Sequence, residues 1–304
     1  DGKRYAVARV DISTGEFYSE EIFGENEKES QLKLLAALAR LAPGELLLSD
    51  NLTAPDALGN LLEDYRDILS PLPSSRFNAA NAEARLKAVF EVGALDAFGH
   101  FEKCEIIAAG ALVDYIELTQ KGRMPRLSPP VKVKNGAVME IDPATRRSLE
   151  LSTALSDGGK ATSLLAALDR TVTGAGARLL NRHLAEPLTE VAAINARLDA
   201  VEFFLENPAI RHDLREMLNR CPDLERALSR ILLGRGGPRD LAALRDGLAL
   251  LPHLEKLLKS NADGSFKLQP PAALAHAIAE FGRHETLVER FTRALSEELP
   301  LLAR

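Results

Sequence analysis

The chain has 304 residues, 46% of them hydrophobic, with 38 Lys+Arg against 44 Asp+Glu and two cysteines, Cys104 and Cys221. That length exceeds one ordinary core and predicts two domains, while two cysteines so far apart exclude a disulfide framework and suit a reducing, cytoplasmic compartment. Residues 1–126 hold 14 Lys+Arg against 21 Asp+Glu, net −7, and residues 127–304 hold 24 against 23, net +1, so the first domain should repel a phosphate backbone.

Residues 5–12 are a near-continuous apolar run broken by Arg9, which predicts a strand covered on both faces, and Ser13-Thr14-Gly15 turns it into a more polar strand over 16–23. Asn26 with Glu29 three residues on has the form of a capping box, and Leu32, Leu35, Leu38 and Leu41 recur at helical spacing until Pro43-Gly44. A buried strand over 45–49, a helix over 56–65, a short strand near Ile68 and helices over 81–90 and 103–118 complete an α/β domain. Gly122, Pro125, Pro129, Pro130 and Gly136 then break any period, and Lys121, Arg123, Arg126, Lys132 and Lys134 make the stretch basic. The domains are expected to divide here, as 1–126 and 127–304, with the basic residues on a solvated linker.

From Asp142 the pattern is helical. Asp142 is a natural N-cap before Pro143, and Thr173, Thr189 and Asn207-Pro208 repeat the start signal. Val191, Ile194, Leu198, Val201 and Leu205 step by three and four, as do Leu241, Leu244, Leu248 and Leu251, so each helix should bury one stripe of a bundle. A long helix over 238–258, a loop at 261–265 and a weaker pattern through Leu274, Ile278, Phe281, Leu287 and Phe291 follow. No apolar run approaches the ~20 residues that span a bilayer, so no membrane partner is expected.

Candidate chemistry is sparse. Asp157-Gly158-Gly159-Lys160-Ala161-Thr162 lacks the earlier glycine and the Ser/Thr after lysine that a phosphate loop needs, and is better taken as an inter-helix loop. Gly234 fits a helix C-cap and Pro238 the first turn of the next helix, so Gly236 and Gly237 join two helices tightly, with Arg235, Arg239 and Asp240 in a charge network. Residues 141–240 hold 13 Arg and one Lys against 14 Asp+Glu, which favours bidentate inter-helix pairing over a DNA-facing patch; Asp169, Arg178, Arg197, Asp199, Asp223, Arg226 and Arg230 are the expected members. The six histidines show no metal-ligand spacing. Asp11, with Glu63 and Asp114 as conceivable partners, is the one arrangement that a metal-dependent nuclease of the ribonuclease-H-like class would use.

Asp142-Pro143-Ala144-Thr145-Arg146-Arg147, Leu168-Asp169-Arg170-Thr171-Val172-Thr173, Ala177-Arg178-Leu179-Leu180, Arg197-Leu198-Asp199-Ala200-Val201-Glu202, Pro222-Asp223-Leu224-Glu225-Arg226 and Gly234-Arg235-Gly236-Gly237-Pro238-Arg239-Asp240 together resemble the core (lever) domain of the MutS DNA mismatch repair family. Val10-Asp11-Ile12-Ser13-Thr14-Gly15-Glu16-Phe17 resembles the first hairpin of that family's connector. The resemblance implies a ribonuclease-H-like connector without nuclease activity over 1–126 and a helical lever over 127–304. It further implies a fragment of a longer ATPase whose mismatch-reading, clamp and nucleotide-binding parts lie elsewhere, consistent with an opening at Asp1 and an end at Arg304. No catalytic, metal or cofactor-binding residue is then expected here. ATP, Mg, mismatched double-stranded DNA and homodimerisation belong to the parent, and a MutL-type partner docks on the connector. A MutS-like paralogue acting on recombination intermediates or ribosomes is the alternative within the family. The implied mechanism is that arginine-laced helices move as levers while Gly158-Gly159 and Gly236-Gly237 take up the change.

Overall fold

In a computed structural model that describes residues 4–120, 124–134, 136–155, 159–259, 268–296 and 298–299, the chain opens with β1 (Arg4–Val10) and β2 (Phe17–Phe23), paired antiparallel with Val10 opposite Phe17. The turn between them is set by Gly15, at φ 82°, whose N–H donates to the Asp11 carbonyl at 2.7 Å. The Asp11 carboxylate closes the same turn, accepting from the Ser13 N–H at 2.8 Å and the Ser13 hydroxyl at 2.6 Å.

Alternation along the hairpin feeds two cores. Tyr5, Val7 and Ile22 pack with Leu34, Ala37, Leu38, Leu58 and Leu62; Ala8, Val10 and Phe17 pack with Leu86, Ala109, Val113 and Ile116. The expected two-sided cover of the first strand is therefore present. α1 (Glu27–Leu41) supplies the first core and is capped by Asn26, which accepts from the Glu29 N–H at 3.0 Å. The reciprocal arm of the box goes one residue further back, Glu29 accepting from the Glu25 N–H at 2.9 Å. The buried stripe is also shifted: Leu34, Ala37 and Leu38 are buried, and Leu32 faces solvent.

β3 (Leu46–Ser49) and β4 (Leu69–Leu72) form a separate two-stranded parallel sheet. The helix expected over 56–65 is replaced by two short turns, Pro55–Gly59 and Glu63–Ile68, because the Gly59 N–H folds back to the Ala54 carbonyl at 2.9 Å and ends the first. α2 (Ala79–Phe90) and α3 (Lys103–Thr119) cover the second core, crossing where Gly110 meets the fully buried Ala82.

The basic stretch after α3 is structured where it is described. Leu127 is buried, the Ser128 N–H donates to the Gly15 carbonyl at 2.8 Å, and β5 (Val131–Lys132) pairs parallel with β2 at Tyr18 and Ser19. Lys132 reaches the fully buried Glu105 at 2.7 Å, and Glu105 also accepts from the Ser19 hydroxyl at 2.9 Å. A buried carboxylate needs such partners, so Lys132 belongs to an interior ion pair and not to a solvated linker. Lys121, Gly122 and Arg123 lie outside the described residues. α4 (Pro143–Ser148) packs against α1, so by compactness the first unit runs to Ala167 and the second from Leu168.

After α5 (Leu164–Leu168), the second unit is helical among its described residues: α6 (Gly174–Ala185), α7 (Val191–Glu206), α8 (Pro208–Asn219), α9 (Leu224–Leu232), α10 (Pro238–Lys259), α11 (Ala272–Ala279) and α12 (Glu285–Ala294). Ile210, Leu258 and Ile278 centre its core. Thr173 caps α6 as expected, but α7 starts one residue later than Thr189 suggests, with the Glu190 carboxylate accepting from Ala192 and Ala193 at 3.0 and 2.7 Å. Asn207 precedes α8, yet its side chain donates backward to the Phe203 carbonyl at 2.8 Å. The stripe expected to be buried on α7 is not: Val191 is 67% exposed, Leu198 57%, Val201 54% and Leu205 66%. Phe203, on the opposite face, is buried, and Phe204 beside it packs against the core. Among the described residues no helix is long and apolar enough to cross a membrane. The loop expected at 261–265 lies outside them.

Candidate functional site

The second unit contains two arginine–aspartate clamps in series. Arg178 on α6 meets Asp223 with two hydrogen bonds of 2.6 and 3.0 Å and Glu225 with a third of 2.7 Å. Asp223 is also the N-cap of α9, accepting from the Arg226 N–H at 3.3 Å. Room for the clamp comes from Gly174 at the start of α6, where a Cβ would sit 3.1 Å from the Asp223 carboxylate. The hydrogen bonds from Arg178 hold the Asp223 carboxyl below its ordinary range, and those to Asp223 push the Arg178 guanidinium higher still.

The second clamp joins α9 to α10. Arg230 donates through Nε to Asp240 at 2.8 Å and through its terminal amine to the same oxygen, while the other Asp240 oxygen accepts from the Gly237 N–H at 3.0 Å. Burial pushes the Asp240 carboxyl up, but the Arg230 and Gly237 hydrogen bonds outweigh it and hold the group below the usual carboxylate range. Gly234 ends α9 at φ 67°, and Pro238 opens α10. Gly236 lies so close to α9 that a Cβ would fall 2.6 Å from the Ile231 Cα. It is a close-approach glycine, in keeping with the tight join expected there: any side chain would push the elbow apart.

Other expected members lie elsewhere. Asp169 accepts from the Thr171 N–H at 2.9 Å and hydroxyl at 2.7 Å, closing its own turn instead of joining two helices. Arg197 and Asp199 are exposed on α7 with no ion pair among the described residues; Arg197 acts only through its charge, helping burial to depress the His183 pKa. Arg226 is a distant 3.9 Å from Asp223. Arg147 and Arg239 are exposed. Asp142 caps α4 as expected, accepting from the Ala144 and Thr145 N–H groups at 3.0 Å each. Arg146 lines a cavity of about 300 Å³ with Lys33, Arg40, Lys134, Glu20 and Glu140, four cationic groups against two carboxylates. Glu225 was not foreseen, although an acid two residues past a capping aspartate at a helix start is a legible signal.

The acids a nuclease would need are otherwise engaged: Asp11 in its turn, Glu63 with Arg66 at 3.0 Å, and Asp114 with Arg76 and, at 2.7 Å, Arg85. Among the described residues no group of three His, Cys, Asp or Glu side chains is placed to hold a metal. Gly159 accepts through its carbonyl from the Ala154 N–H at 2.8 Å; Asp157 and Gly158 lie outside the described residues.

Family models match almost the whole chain in two pieces, MutS domain II over residues 1–128 and MutS domain III over residues 144–304. The chain belongs to the MutS family. It is 44% identical over 300 residues to the DNA mismatch repair protein MutS of Cereibacter sphaeroides, covering 98% of this chain and 32% of that protein. The MutS proteins of Ruegeria pomeroyi and Nitrobacter winogradskyi are likewise 44% identical, over 299 and 302 residues. The chain thus spans about a third of the length of the MutS relatives it matches. In MutS terms, both clamps fall within domain III and the hairpin with its two cores within domain II.

Proposed function

We propose that this chain is the connector and first lever segment of a MutS-type mismatch repair ATPase of the cytoplasm, relaying nucleotide state towards a DNA clamp. In this reading residues 1–126 form a ribonuclease-H-like connector that docks a MutL-type partner, and residues 127–304 form the lever. Catalysis lies outside the chain: ATP and Mg serve the longer parent, which binds mismatched double-stranded DNA as a homodimer. The observation that carries the reading is the serial clamp Arg178–Asp223, a bidentate pair, and Arg230–Asp240, two hydrogen bonds to one carboxylate oxygen, which ties α6, α9 and α10. Helices fastened in that way move together, as a relay requires.

The test uses the full-length parent carrying Asp223→Asn and Asp240→Asn. Mismatch binding without nucleotide should persist, and ATP-driven release of DNA should slow at least about tenfold, equivalent to about 1.4 kcal/mol of lost coupling. Release at the native rate in both variants would remove the relay role. The isolated chain should show no magnesium-dependent cleavage of nucleic acid; cleavage lost on Asp11→Asn would instead favour a nuclease.

A further inference from the structure

We propose that α10 is a jointed lever whose joint lies between Gly247 and Pro252. Pro252 sits inside this 22-residue helix. Proline has no N–H, so the Leu248 carbonyl four residues back loses its intrahelical donor, and the ring crowds that carbonyl; a helix bends at such a point. Gly247, five residues earlier, is buried against Leu224 of α9, where a Cβ would overlap the leucine side chain. Glycine there allows the close approach and leaves the backbone least restrained just before the break.

Contacts of the two halves of α10 reach different neighbours, while α12 also packs against the helix. The first half is held by α9, through Arg230 on Asp240 and Leu224 over Gly247. The second half buries Leu254 and Leu258, and Leu258 packs with Ile210 of α8 and Ile278 of α11. Pro252 and Ala249 are exposed, so bending opens the face where water can take the Leu248 carbonyl. Flexing at this point shifts the α9 attachment against the α8–α11 core without breaking either. The proposal rests on the relay reading for its use, while the joint itself is a property of α10.

Double electron–electron resonance between nitroxides at Arg239→Cys and Lys256→Cys, both at exposed positions, in a Cys104→Ser/Cys221→Ser background, reads the joint directly. A straight helix would hold the two positions about 26 Å apart along its axis. The native chain should give a broad distance distribution. Pro252→Ala and Pro252→Glu, which both restore the N–H, should each narrow it about twofold and slow exchange of the amides of residues 253–256 about tenfold. Equal widths in the native chain and both variants would overturn the joint. A narrowed distribution in a full-length parent that still releases DNA at the native rate would support the joint and show that release does not depend on it.

Discussion

Asp169 and Asp223 show how far a single aspartate can be read. Both stand in an arginine-rich stretch, Asp169 just after α5 and Asp223 just before α9, yet only Asp223 bridges helices. The difference lies two residues downstream: Asp169 has Thr171, whose hydroxyl and N–H satisfy the carboxylate locally, whereas Asp223 is followed by Leu224 and Glu225 and, besides accepting from the Arg226 N–H, has both oxygens open to Arg178. Residue type and spacing therefore reveal that clamps exist, and local hydroxyls tell which acids are already taken. Arg178→Ala should destabilise the chain by about 1.5–3 kcal/mol in urea unfolding, the range for hydrogen bonds to charged groups. Asp223→Asn should do the same, and the double variant should lose little more than either single one. The pH dependence has a fixed sign. Asp223 is depressed in the folded chain, so its stabilisation is complete above the unfolded carboxylate value near ~3.9 and is lost as pH falls through the lower folded value. The native and Asp223→Asn curves should converge in acid; a difference that persisted well below that window would show that shape, not charge, holds the clamp.

Elements were legible where caps and periodicity agree, and obscure where tertiary contact decides. The opening hairpin and the helices α1, α2, α3 and α10 follow from alternation, N-caps and breakers, and the Gly234–Pro238 elbow follows from the asymmetric preferences of helix ends. The α7 stripe shows the limit: a period of three and four identifies an apolar face but says nothing about what covers it, and here Val191, Leu198, Val201 and Leu205 are exposed. Leu198→Gln with Leu205→Gln should leave the melting temperature within about 2 °C of native, because no buried contact is lost, and should reduce binding of a hydrophobic dye. A fall of about 8 °C or more would mean that the stripe is covered within this chain. The α2–α3 crossing makes the opposite case. Gly110→Ala would drive a methyl into the backbone and Cβ of Ala82, which is fully buried, and should cost about 1–3 kcal/mol of stability by overpacking. Gly93→Ala, where a Cβ meets nothing within 4 Å, is the matched control and should be close to neutral.

At the scale of the whole molecule, charge limits what the chain can contact. Residues 1–126 carry a net −7, and residues 127–304 only +1, with 13 arginines of residues 141–240 matched by 14 acids. Two of those arginines, Arg178 and Arg230, are spent on Asp223 and Asp240, and Lys132 of the basic stretch is spent on Glu105. Affinity for a duplex rises with the number of phosphates neutralised, and its logarithm falls with salt in proportion to that number. A chain with a net −7 in one part and only +1 in the other should neutralise few phosphates, so in isolation it should bind duplex DNA no more tightly than the non-specific range of about 10⁻⁴ to 10⁻⁶ M at physiological salt, with no preference for a mismatch. Fluorescence anisotropy with matched and mismatched duplexes at two salt concentrations checks this. Exposed Arg147, Arg197 and Arg239 would be the groups to substitute if binding were tighter. Nanomolar affinity with a steep salt slope would mean that these arginines act together as a phosphate-contacting strip.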